Sequence, residues 1–177
     1  MSEQVVPLPR AAALPVLRRC AAAVLLSAFL VGNVAAIVFL WVHGGNWTAK
    51  SAGDVLTSGA RLTGLLSAFL ALVQVVLLAR LPALERLVGF DRLTVWHRWN
   101  GHACVDLVIA HVVLSVWGYA QLDRFSIPKE ISTMLGGGIY PGMITATIGT
   151  GLLIAVVASS VVIVKRRLRA SSPAVAH

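Results

Sequence analysis

Four stretches of the chain are apolar over a long distance and almost free of charge. Cys20 to Val42, Leu62 to Ala79 and Gly142 to Val164 contain no Asp, Glu, Lys or Arg, and Trp99 to Leu122 contains only Asp106. About 20 apolar residues at 1.5 Å rise cross a hydrocarbon layer of roughly 30 Å, so each stretch is long enough to span a bilayer as a helix. The pattern predicts an all-α membrane protein with four transmembrane helices at about 20–42, 59–81, 97–121 and 142–164. A segment 1–20 precedes the four-helix domain 21–168, and a short tail 169–177 follows it. The first stretch exceeds the roughly 7 to 15 apolar residues of a secretory signal and shows no cleavage site of small residues, so it is read as a retained helix.

Breakers set the connections. Pro82 cannot donate a backbone hydrogen bond and its predecessor Leu81 is biased to extended backbone, so the second helix should stop there and a loop should run from about Leu81 to Val95. Between Gln121 and Gly142, Pro128, the run Gly136, Gly137, Gly138, and Pro141 predict an irregular loop or a short surface helix. In the last helix Thr147, Gly151, Ala155 and Ser159 recur every four residues, a spacing that lets another helix approach closely in lipid. The tail after Ala170 reads as disordered.

Composition agrees with the pattern, since 58% of the residues are hydrophobic and only 12% charged, against about 25% charged in soluble domains. The net charge of +8 points either to nucleic acid or to a membrane surface, and its placement decides. Arg10, Arg18 and Arg19 precede the first helix, Arg80, Arg86, Arg92 and Arg98 lie between the second and third, and Lys165, Arg166, Arg167 and Arg169 follow the fourth. The other side receives Lys50, Arg61, Arg124 and Lys129. This asymmetry puts both termini in the cytoplasm and predicts a multi-pass protein of the cell inner (plasma) membrane, with the lipid bilayer as its partner and no role for nucleic acid. Trp41, Trp47, Trp117 and Tyr119 at one interface and Trp96 and Trp99 at the other fit the aromatic belts. Cys20 and Cys104 are too far apart in the pattern to form a disulfide framework or a thiolate metal site and read as small packing residues.

The candidate chemistry lies in the third helix. At 100° and 1.5 Å per residue, His111 falls about 40° from His97 on the same face and about 21 Å along the axis. One haem cannot join them, but two haems stacked across a bilayer can each take one imidazole from such a helix, with a second helix supplying the opposite ligands. Gly101 and Cys104 share that face, where small side chains leave room for a flat macrocycle. The plainer alternative is that the histidines hydrogen-bond to other helices; His111, deeper among apolar neighbours, is the harder to explain so. His102 and Asp106 fall on the opposite face with i, i+4 spacing, as a polar pair that satisfies itself, joins Arg61, or forms a proton path.

The run Gly59, Arg61, Leu62, Thr63, Gly64, Leu65, then Ala79, Arg80, Leu81, Pro82, Leu84, Glu85, Arg86, then Phe90, Asp91, Arg92, Leu93, Trp96, His97, Arg98, Gly101, His102, Ala110, His111, Gly118 and Tyr119 resembles the ferric reductase-like transmembrane domain shared by ferric reductases and NADPH oxidases, especially its bacterial members. The resemblance covers roughly residues 58 to 168. It implies a six-helix bundle in which two b-type haems are each held by one histidine of the third helix and one of the fifth, with His97 on the inner haem and His111 on the outer. It also implies electrons passing from NAD(P)H through FAD on the cytoplasmic side to the two haems and on to an acceptor.

The sequence ends eight residues after Arg169, where the family's fifth helix would begin. The expectation is therefore a partial bundle with two half-formed haem b sites. FAD and NAD(P)H would enter only through a flavin reductase partner, and the chain would be a fragment, a degenerate copy, or a subunit whose remaining ligands come from another polypeptide. The competing expectations are a structural or assembly subunit without haem and a proton or small-solute transporter using His102 and Asp106.

Overall fold

The computed structural model of the chain describes residues 10–79, 81–136 and 142–171. Every element among them is helical: α1 (Arg10–Trp41), a wider π-type turn (Val42–Asn46), α2 (Ala52–Leu78), α3 (Pro82–Val88), α4 (Phe90–Asp123), α5 (Ile127–Gly136) and α6 (Met143–Ser171). Four stretches are long and apolar enough to cross a membrane, Cys20–Asn46, Ala52–Leu78, Phe90–Asp123 and Met143–Ser160. Leu25 and Phe29 on α1, Leu72 on α2 and Leu152 on α6 are exposed, the surface a chain shows when its solvent is hydrocarbon rather than water.

The helices are longer than the charge-free runs. α2 begins at Ala52 because Ser51 and Asp54 form a capping box: the Asp54 N–H donates to Ser51 Oγ at 3.1 Å and the Ser51 N–H to Asp54 Oδ2 at 3.0 Å, satisfying N–H groups that the first turn leaves open. α6 continues through the basic run to Ser171, since Lys, Arg and Leu are good helix formers. Residues 137–141, which include Gly137, Gly138 and Pro141 of the expected loop, lie outside the described residues, as does the tail from 172.

The expected loop from Leu81 to Val95 is mostly helix. Pro82 opens α3 at a first-turn position, where its missing N–H costs nothing. Gly89 then turns the chain with φ 91° and ψ 142°, a conformation that disfavours a side chain. α4 starts directly after it, so Trp96 and His97 sit about two turns inside a helix rather than at its tip.

The chain divides after Arg124 into two compact units. In the first, α2 and α4 run antiparallel against each other over most of their length, and their contact is built from small residues. A side-chain carbon on Gly53 would meet Leu122 at 2.8 Å, one on Gly118 would meet Thr57 at 2.7 Å, and one on Gly64 would meet the His111 ring at 2.7 Å. Ala60, Ser67 and Cys104 are buried in the same seam. Such surfaces associate in lipid by close backbone approach, because apolar burial gives no preference for helix over lipid tail.

The end of α1 is tied to α2 by polar contacts. The Trp41 indole donates to the Ser58 carbonyl at 2.8 Å, the Ser58 hydroxyl to the Asn46 carbonyl at 2.6 Å, and Arg61 Nη1 to Asn46 Oδ1 at 2.9 Å. Gly45, at φ 76°, makes the turn that presents Asn46. In the second unit α5 adjoins α6, and Glu130 and Met134 of α5 are buried.

Replacing Gly118 by Ala places a methyl 2.7 Å from Thr57 Cγ2 and 2.9 Å from the Thr57 backbone nitrogen, so α2 and α4 must separate. The expected destabilisation is about 1–3 kcal/mol, read as a lower midpoint of thermal unfolding in detergent. Gly149→Ala, where the added carbon meets nothing within 4 Å, leaves that midpoint unchanged or raised.

Candidate functional site

The face of α4 that carries His97, Gly101, Cys104 and His111 is the face turned to α2. At the site nearer Arg124, His111 Nδ1 lies 2.7 Å from the Ala60 carbonyl. A carbonyl only accepts, so Nδ1 carries the proton and the lone pair is on Nε2. Gly64 makes this approach possible, because any side chain there would overlap the imidazole. Among the described residues, none hydrogen-bonds to His111 Nε2.

At the site nearer Gly89, the partner is Gln74. Its Nε2 donates to the His97 backbone carbonyl at 3.0 Å and stands 3.1 Å from His97 Nε2. Gln74 Oε1 accepts from Asn100 Nδ2 at 2.7 Å, and the same Asn100 nitrogen donates to the Leu70 carbonyl at 2.9 Å. The two backbone carbonyls fix both amides: the Gln74 atom facing His97 is the NH2 group, so His97 Nε2 accepts and His97 Nδ1 carries the proton. His97 Nδ1 is buried without a hydrogen-bond partner. Gly101 gives the carboxamide its room, since a Cβ there would stand 3.0 Å from Gln74 Nε2. Gly101 therefore clears space for a side chain of α2.

Between the two histidines, the Cys104 thiol contacts the Ser67 carbonyl at 3.5 Å and the Ser67 hydroxyl donates to the Gly64 carbonyl at 2.8 Å. His102 and Asp106 are exposed and sit away from α2. No hydrogen bond or ion pair joins them among the described residues, and the Arg61 guanidinium is directed to Asn46 instead. The i, i+4 spacing aligns the two on one stripe without making them a bonded pair.

Iron in a haem takes an imidazole nitrogen lone pair, and the second ring nitrogen of such a ligand usually donates to a carbonyl or carboxylate. His111 meets both conditions, with Nδ1 anchored and Nε2 open. His97 has the same tautomer, but its Nε2 is engaged by Gln74. Beside His97 lies a cavity of about 180 Å³ lined by Leu77, Leu81, Leu84, Phe90, Leu93 and Thr94 among others. Its walls are mostly apolar, with Glu85 and Thr94 among them, and its volume lies below the roughly 300–1,000 Å³ of small-molecule sites, so the room for a macrocycle needs walls beyond these. At the other end of the seam, Asn46, Lys50, Asp54, Ser58, Arg61 and Tyr119 border a polar cavity of about 250 Å³.

Sequence reasoning placed the two histidines on one face and missed what they face. Gln74, Gly64 and Asn100 complete the arrangement. The available signal was Gln74 itself, a carboxamide inside a charge-free apolar run, where a polar side chain must find a partner on another helix.

The sequence model of a family described as ferric reductase like transmembrane component matches residues 63–171, more than half of the chain. No curated protein and no solved structure matches it.

A Gly64→Ala variant has no room for the His111 ring at its present position. The bond from His111 Nδ1 to the Ala60 carbonyl should lengthen, and spectra of isotope-labelled histidine in detergent should show the His111 Nδ1–H, protected in the wild type, exchanging with water. An unchanged His111 signal would contradict the tight seam.

Proposed function

The chain belongs to the ferric reductase-like transmembrane family, and on that premise we propose that it is a transmembrane haem b electron-transfer module in which His97 serves the inner haem and His111 the outer. The observation that carries this reading is the shared tautomer of the two histidines. Both rings hold their proton on Nδ1 and present Nε2 as the base, about 21 Å apart along one helix by its rise. In each site a bound haem would supply a one-electron carrier.

The chain's own residues supply position and insulation. Ala60 holds His111 at a fixed angle and favours a basic Nε2, as second partners of metal-ligating histidines do. Gly64 allows the ring to sit against α2, and Leu77 and Leu93 line the cavity beside His97. Further ligands to each haem, and the FAD and NAD(P)H of a cytoplasmic reductase, would be supplied from outside the residues that His97 and His111 belong to here. The basic flanks Arg86, Arg92, Arg98 and Arg166 favour a cytoplasmic inner face in the cell inner membrane, with both termini on that side.

A second reading has one observation in its favour. Each imidazole already has a partner on α2, as a haem-free assembly subunit would require of histidines that only join helices.

Reduced-minus-oxidised spectra of expressed membranes separate the two. The module should show b-type haem bands, with roughly half of the haem lost in His97→Ala and in His111→Ala and all of it in the double variant. Membranes without haem above background, containing folded protein, would leave the assembly reading.

A further inference from the structure

The two imidazoles share a tautomer and differ in what occupies the lone pair. His111 Nε2 has no hydrogen-bond partner among the described residues, whereas His97 Nε2 takes an N–H of Gln74. That carboxamide is fixed by its bond to the His97 carbonyl, by Asn100 on its oxygen, and through Asn100 by the Leu70 carbonyl. It reaches the histidine because Gly101 has no side chain to block it. Nothing in the electron-transfer reading requires a glutamine at this point.

We propose that Gln74 is a latch on the inner ligand: in the haem-free chain its amide occupies the His97 lone pair, and it must withdraw before His97 Nε2 can reach iron. The proposal rests on the haem reading and adds an order to it, the His111 site filling first and the His97 site second. Gln74 is thus a positioning residue that acts through His97. Breaking one hydrogen bond is worth about 0.5–1.5 kcal/mol, and 1.4 kcal/mol is tenfold, so removing the latch should speed inner-site loading by roughly twofold to tenfold. The amide that withdraws remains in a polar setting, because Asn100 and the freed His97 carbonyl stay beside it.

The test uses haem-free full chain in lipid nanodiscs, haemin as the probe, and free imidazole in the buffer to fill the open axial position. His111→Ala leaves only the inner site and His97→Ala only the outer. Gln74→Met, which keeps length and removes the amide, is placed on each background and haemin uptake is followed by Soret absorbance. The expected result is faster uptake on His111→Ala, no change on His97→Ala, and outer-site loading ahead of inner-site loading in the wild type. Equal inner-site rates with and without Gln74→Met would overturn the latch while leaving the haem reading intact; no haemin uptake by the wild type would overturn both. If Gln74→Met loses uptake at both sites, the variant is misfolded, and Asn100→Ala, which frees the carboxamide without deleting it, is put to the same comparison with the same deciding outcomes.

Discussion

In an apolar layer with no water, a polar group on one helix has to find its partner on another, and the seam between α2 and α4 is built on that requirement. Its hydrogen bonds are few and each joins a side chain to a backbone carbonyl or to a second side chain: His111 to Ala60, Cys104 to Ser67, Asn100 to Leu70, Gln74 to His97. Glycines lie between them at the positions where the two backbones come closest. The polar contacts fix the register and the small residues permit the distance, and neither works alone. A shift of α4 by one residue would rotate this face by about 100° and turn the His111, Cys104 and Asn100 donors away from their carbonyls on α2.

The seam also separates two tasks on one helix. Toward α2, α4 places its imidazoles in defined orientations with defined tautomers. Away from α2 it carries His102 and Asp106, exposed and not bonded to each other. A carboxylate at membrane depth is expensive unless it is neutral, hydrated or paired, so this stripe is polar for a reason other than the α2 contact.

Much of this was legible in the sequence because the signals are coarse and physical. Charge-free length predicts spans, and a period of 3.6 places His97 and His111 on one side of a helix whatever its surroundings. The boundaries were less legible, because charge was used to mark them. Ser51 and Asp54 carry the true start of α2 in a capping pattern, and Phe90 to Trp96 are helical despite Asp91 and Arg92. The partners of the histidines were the hardest to see. Gln74 is polar without being charged, and Gly64 has no side chain, so neither stands out in a count of charges, and their roles depend on the antiparallel register of α2 on α4. Gly101 borders the Gln74 carboxamide, a neighbour that the helical wheel of α4 alone does not reveal.

α4 contains 34 residues, about 51 Å of helix, set against a hydrocarbon layer of roughly 30 Å. The surplus must be taken up by leaning or by overhang. On the side of Gly89, overhang puts about two turns of α4 between that glycine and His97, with α3 lying back along them so that Leu84 and His97 border one cavity. The reach from Gly89 to His97 is thereby set by a count of residues in a rigid rod.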